Sequence, residues 1–373
     1  MRHITTKKLI TTTALLGAAC LLPGLALAQV KGQCVTCHTM HNSQGGAAMA
    51  TGTGPYGTLL KGDCVGCHTT DTTNGVVTNI PMVNHTAGAP GGGAAIVSGT
   101  GGGMLAGGSF YWVATTDSTG HNVMGIKAVD VALGKTPPGY NAATAGTAFD
   151  PQGSDYLTCA GTNGCHGDRS VAGQYASLGS GAHHAPDQAG GYMDGSGTDL
   201  AKSYRFLKGV KGIESPDWEG AGTITTRNVY YGVDRATQAN DTSTISSLCG
   251  QCHGNFHSGA NSVVSGVEGT TAASPWIRHP TDFDMNQVVA KEYGSYAVNM
   301  QAPVGSKLIS DAYVRANQSV NNADDAIVTC ISCHRAHGSQ YADLLRWDYA
   351  TMTAHNGTTG NVGCFQCHTS KDN

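Results

Sequence analysis

Five segments of this chain place two cysteines three residues apart with a histidine directly after the second. They are Cys34-Val35-Thr36-Cys37-His38, Cys64-Val65-Gly66-Cys67-His68, Cys249-Gly250-Gln251-Cys252-His253, Cys330-Ile331-Ser332-Cys333-His334 and Cys364-Phe365-Gln366-Cys367-His368. A bare Cys-x-x-Cys serves equally well as a redox dithiol, but Cys-x-x-Cys-His is the attachment signal of a c-type haem. The two thiols add across the porphyrin vinyl groups, and the histidine then stands under the iron as its proximal ligand. One copy is open to accident; five in one chain are not.

Of the 13 cysteines, Cys20 falls in the N-terminal apolar run and ten belong to these motifs. The remaining two lie in Cys159-Ala160-Gly161-Thr162-Asn163-Gly164-Cys165-His166, a Cys-His whose first cysteine is displaced by three residues. The small residues of that spacer allow it to bulge. A Cys159–Cys165 disulfide beside an unrelated His166 is the alternative, and an exported protein would permit it. The haem reading is preferred because Cys165-His166-Gly167 repeats the ending Cys252-His253-Gly254 and fills the longest gap between motifs. The expected cofactor is therefore six haem c, with His38, His68, His166, His253, His334 and His368 as proximal ligands.

The chemistry then turns on the sixth coordination position. Left open, it binds and reduces small oxyanions; closed by a second histidine, it leaves electron transfer alone. Outside the motifs the mature chain has His41, His85, His121, His183, His184, His257, His279, His337 and His355. Nine candidates are enough for six positions, with His355 the weakest because of its loop-like surroundings, and with one binder expected from the adjacent His183 and His184. His41 and His337 lie three residues after their motif histidines and His257 lies four after His253. On a helix these offsets share a face. The second histidine cannot reach the far side of its own ring, so it is expected to serve a neighbouring haem and to hold a closely packed row.

The elements around these sites must be mostly irregular. The chain has 373 residues with 53 glycines and only 12% charged residues. Glycine and β-branched residues weaken helices, and the alternating apolar runs of a sandwich or barrel are lacking. The expected fold is a loop-dominated multihaem cytochrome c with few short helices and minimal strand, its core formed by stacked haems. About 400 Å² of apolar surface hidden per ring contributes on the order of 10 kcal/mol. Each motif is expected on a turn of helix, Ser109–Val113 as a short strand or a wall against a porphyrin, Thr223–Tyr231 as a strand, and Met285–Tyr296 and Tyr341–Tyr349 as short helices. The segment Ala87–Gly108 reads as a glycine-rich loop. No repeat of fixed period is visible beyond the motifs.

Residues 1–28 read as a secretory signal, with Arg2, Lys7 and Lys8 ahead of an apolar region and Ala26-Leu27-Ala28 as the cleavage site. Residues 29–373 are expected to form a single multihaem domain, secreted and without a membrane span. Loss of the signal takes the formal charge from −4 to −7, which argues against nucleic acid as a partner.

The order of these features resembles the OmcS-type extracellular multihaem cytochromes of metal-reducing bacteria. The resemblance rests on Cys34 to Ser43, Gly107-Gly108-Ser109-Phe110 with Trp112-Val113, Gly120-His121-Asn122, Tyr204-Arg205-Phe206-Leu207-Lys208-Gly209, Arg278-His279-Pro280 and Cys333-His334-Arg335-Ala336-His337. It implies six bis-histidine haems, polymerisation of identical subunits head to tail into a conductive filament, and a His41 that ligates a haem of the next subunit. It also implies delivery of electrons to redox partners, mineral or electrode. The chain departs from that pattern at the third site, where Arg169 stands in place of a histidine. The competing readings are a monomeric periplasmic electron shuttle and an oxyanion reductase with one open haem; no Cys-x-x-Cys-Lys supports the latter.

Overall fold

A computed structural model describes residues 33–50, 54, 56–69, 81–84, 105–133, 137–140, 156–179, 181–184, 196–215, 223–235, 241–257, 279–291, 293–309, 318–353 and 360–369. Its regular elements are short, as the glycine-rich composition leads one to expect. The helices are α1 (Cys34–Cys37), α2 (Cys64–Cys67), α3 (Gln174–Ser177), α4 (Ile245–Gly250), α5 (Gly254–His257) and α6 (Cys330–Cys333). The strands form two-stranded ribbons only: β1 (Ser43–Gln44) with β2 (Ala47–Ala48), β3 (Thr158–Ala160) with β4 (Gly164–His166), β5 (Gly212–Ile213) with β6 (Val229–Tyr230), and β7 (Phe283–Asp284) with β8 (Ile327–Val328). The β3–β4 pair is parallel and the other three are antiparallel.

Several expected elements come out differently. Ser109–Val113 is turn, not strand, although Phe110 and Val113 are buried. Of the proposed 223–231 strand, Val229–Tyr230 pairs in a ribbon and Tyr231 adds an isolated bridge to Ser306. The two proposed helices shrink to 3₁₀ turns at Met285–Val288, Ala342–Leu344 and Tyr349–Thr351. Local apolar content was read as secondary structure where it marks only burial.

The structure also contains a repeat that the sequence reading missed. A strap crosses back over the first site of each of three pairs. Its centre is a 3₁₀ turn at Gly57–Leu59, Tyr204–Phe206 and Ala342–Leu344. Each turn holds two consecutive non-glycine residues in the left-handed region: Thr58 and Leu59 (φ 58° and 60°), Arg205 and Phe206 (49° and 58°), Asp343 and Leu344 (58° and 60°). The first of these offers its carbonyl to the motif histidine's Nδ1, and the second accepts the next backbone N–H, from Thr39, Gly167 and Arg335 at 2.8, 2.6 and 2.8 Å. A leucine follows each time (Leu60, Leu207, Leu345) and bridges back to the motif at His38, Gly167 and His334. Left-handed non-glycine residues cost of order 1–3 kcal/mol each, so such turns persist only where the surrounding bonds hold them. The straps lie between motifs one and two, three and four, and five and six, which divides the chain into three two-site units.

The apolar core is correspondingly divided. Phe283, Met285, Tyr296, Val304, Val320, Ala326 and Val328 cluster beside Cys367. Tyr204, Leu207, Val210, Tyr230, Ile245 and Ile331 form a second cluster, with Leu248 against it. Phe110, Val113 and Val123 form a third beside Cys159. Each small cluster thus backs an attachment segment, and none is large enough to organise the whole chain.

Candidate haem sites

A single turn of helix carries most of the attachment cysteines, because residues i and i+3 then project to one side. At α2 the Asp63 carboxylate caps the turn by accepting from the Gly66 N–H at 2.6 Å. At α6 Thr329 and Ser332 form a reciprocal capping box. At α4 the Thr244 hydroxyl accepts from Ser247 N–H at 3.0 Å. Cys364 lies in a 3₁₀ turn, Gly363–Gln366.

Cys159 and Cys165 depart from this geometry. They sit on β3 and β4, paired Thr158 to Gly164 and Ala160 to His166. The spacer folds back through Gly161 at φ 86° and Gly164, where an added Cβ would stand 2.5 Å from the Ala160 nitrogen. The three extra residues are thereby taken up in a tight loop. No disulfide joins Cys159 to Cys165, and the Cys159 N–H donates to Gln174 Oε1 at 2.9 Å.

Five of the six motif histidines share one arrangement. Nδ1 of His38 pairs with Thr58 O (3.0 Å), of His68 with Pro81 O (2.9 Å), of His166 with Arg205 O (2.9 Å), of His253 with Pro138 O (2.6 Å) and of His334 with Asp343 O (2.6 Å). A carbonyl partner fixes the proton on Nδ1 and leaves Nε2 as a lone-pair donor, the arrangement that metal-ligating histidines use.

Five of these rings face a second imidazole across a gap. His38 faces His184 with centroids 6.1 Å apart, and His68 faces His183 at 6.3 Å. His166 faces His337 at 6.1 Å, His253 faces His121 at 6.1 Å, and His368 faces His279 at 6.4 Å. Two imidazoles on opposite sides of one metal, each bonded at about 2.0–2.1 Å, hold their centroids roughly 6 Å apart. The donor set therefore fits a metal between each pair, and the adjacent cysteines would tether the haem that carries it.

The electrostatics suit ligands. Desolvation lowers the pKa of His68, His121, His166, His279 and His334, and takes His183 and His253 to about 4 and His337 to about 3. Neutral imidazole is the form that binds a metal. The distal side is shaped to match. His121 Nδ1 pairs with Ala336 O at 2.6 Å. His337 stacks on Phe110 at 4.7 Å and passes so close to Gly107 that a Cβ there would meet its ring at 2.9 Å. Glycine is therefore required at 107.

The six segments follow one another in chain order. Cysteines of successive segments are neighbours: Cys37 of Cys67, Cys64 of Cys159, Cys165 of Cys252, Cys249 of Cys330 and Cys333 of Cys364.

Among the remaining histidines expected to serve, His257 is placed otherwise. It is buried at the end of α5, its Nε2 3.1 Å from the Asp282 carboxylate, and Thr244 donates to the same oxygen at 2.7 Å. Its offset from His253 carries it into the protein interior. Both His183 and His184 face motif rings, where one of the two was expected to. His337 reaches the third site, two along the row from its own. His41 is exposed, and neither it nor His334 faces another imidazole among the described residues. His85 and His355 lie outside the described residues, as does the proposed signal at 1–28.

Tethered, paired imidazole sites in series define the class of a multihaem c-type cytochrome. The model of the family described as "Doubled CXXCH motif" matches residues 321–373, the third two-site unit. The chain is 26% identical over 364 residues to the C-type cytochrome OmcS of Geobacter sulfurreducens, covering 85% of this chain and 79% of that protein. The likeness to OmcS-type cytochromes thus extends well beyond the motifs. Solved structures give the same neighbour. The Outer Membrane Cytochrome S filament of Geobacter sulfurreducens is 19% identical, with 90% of this chain and 88% of that one covered at TM-score 0.40. The OmcS nanowires of the same organism, seen by cryo-EM, are 21% identical, with 88% of each chain covered at TM-score 0.37.

Proposed function

We propose that this chain is an electron conduit: six covalently attached c-type haems in a row, each iron held by two histidines, in a subunit of an extracellular filament. The observation that carries the reading is the set of five imidazole pairs at 6.1–6.4 Å, each with one member adjoining an attachment cysteine. The relative's name, a c-type cytochrome, and the filament titles of its structures point the same way. Residues 1–28 direct export, and residues 29–373 form the haem-bearing domain.

When bound, haem supplies a one-electron Fe(III)/Fe(II) couple. The chain's own residues hold and insulate it. The attachment cysteines fix the ring, the strap carbonyls orient the proximal imidazoles, and the second histidines close the sixth position. With no position open there is no site for substrate chemistry, so the chain carries electrons and is not an enzyme.

A regular borrowing supports assembly. The first unit takes its second histidines from the second (His184, His183), and the third site takes His337 from the third unit. His334 then has no later unit in its own chain to borrow from. Within the chain, His337, three residues after the fifth motif, serves the site two motifs earlier. His41, three residues after the first, would by the same offset serve the fifth site of the preceding subunit. Such a contact is heterologous and does not close, so it builds an open filament. Intact mass of the mature protein tests the core of this reading: six haem masses above the polypeptide and no free thiol are expected, while five with a Cys159–Cys165 disulfide would refute the sixth site.

A further inference from the structure

In the first segment of each two-site unit, a long side chain stands three places after the motif histidine. In the first and third units it is a histidine, His41 and His337; in the second it is Arg169. The Arg169 guanidinium donates through Nη1 to the side chain of Gln251, which lies inside the fourth motif, Cys249-Gly250-Gln251-Cys252-His253. Its Nε is buried and has no acceptor. One fixed positive charge is therefore strung between the third and fourth attachment sites.

From this placement we propose that Arg169 is a positioning residue for potential: it raises the reduction potentials of the third and fourth haems and makes the middle of the row its preferred resting place for electrons. The inference rests on the haem reading above. Reduction of Fe(III) to Fe(II) adds one electron from the adjoining haem or donor and makes the site one unit more negative. A neighbouring fixed cation stabilises that product over the reactant. In a part-buried site, at an effective dielectric constant near 20, a unit charge acts strongly over such distances. Loss of it is expected to change the reduced-to-oxidised ratio of the affected haems roughly tenfold at a given potential, about 59 mV for a one-electron couple. Arginine suits this role because its charge does not titrate in the accessible range and its planar fork holds one geometry.

The test compares the full-length haem-loaded protein with R169Q and R169K in mediated potentiometric titrations followed by the Soret band, after haem content has been counted by intact mass. R169Q is expected to move two of the six one-electron steps to lower potential and leave the other four in place. R169K, which keeps the charge but not the fork, is expected to retain most of the native profile. Six haems with an unshifted R169Q profile would overturn the proposal, and so would an R169K profile as low as that of R169Q, since a packing role alone would make the two variants equal. Five haems in the native protein would overturn instead the underlying reading of Cys159 and Cys165, a result visible before any titration.

Discussion

His183 and His184 are consecutive in the chain, yet their rings face different attachment sites, His68 at 6.3 Å and His38 at 6.1 Å. The 3₁₀ turn Ala182–His184 that carries them advances about a third of a turn per residue. Neighbouring side chains on it therefore diverge, and one short segment of the second unit faces both motif histidines of the first.

That geometry separates five histidines from the rest. His121, His183, His184, His279 and His337, changed singly to Ala, are each expected to convert one of six haems from low to high spin. Electron paramagnetic resonance of the oxidised protein and carbon monoxide binding to the reduced protein measure this. A variant that stays wholly low-spin removes that residue from the set.

His257→Ala is expected to behave differently. All haems stay low-spin, but the buried Asp282 carboxylate loses its imidazole partner, which costs about 1–3 kcal/mol. Denaturant unfolding should show the loss. A high-spin haem in this variant would return His257 to the ligands.

The straps predict an unusual substitution pattern. Asp343 has φ 58° and the next residue, Leu344, 60°. Asp343→Val puts a β-branched side chain where it fits worst and is expected to lower stability by roughly 1–2 kcal/mol relative to Asp343→Gly. Equal stability of the two variants would mean that the left-handed turn is not retained.

Acid should open the row late. His183 and His253 are held near 4 and His337 near 3, below the value of about 6.5 in an unfolded chain. Their folded pKa values are depressed bases, so the stability tied to the neutral rings is complete above about 6.5 and drains away as pH falls through about 4. The low-spin spectrum is expected to persist to about pH 5. A high-spin band growing between about pH 7 and 6 would contradict the desolvated environment.

His41→Ala should leave folded monomers with six haems, one of them five-coordinate, and no filaments by electron microscopy. Filaments of normal length would refute the junction.

Much of this arrangement could be read from residue order alone, because covalent attachment demands a contiguous Cys-x-x-Cys-His and leaves it in plain view. The straps were invisible for the opposite reason. Thr58-Leu59-Leu60, Arg205-Phe206-Leu207 and Asp343-Leu344-Leu345 share one leucine and a backbone conformation, and left-handed residues other than glycine leave no compositional trace. The placement of His257 against Asp282 was not legible, because an i+4 offset says which helix face a side chain takes, not what that face meets. His183 and His184 are adjacent in sequence, which suggests that one excludes the other, whereas divergence on a 3₁₀ turn lets both face motif rings.

His184, His183 and His337 each reach back to a site earlier in the chain, and the proposed His41 junction runs in the same direction, so a filament built on it would have a chemical polarity. One tip would carry an unspent His41, and the other a fifth site that no second histidine closes. Small ligands such as carbon monoxide would then bind at tips and not along the shaft. The bound amount would count wires rather than subunits, so a simple gas titration against total haem would report mean length, and shearing a preparation would raise its reactivity in proportion to the breaks.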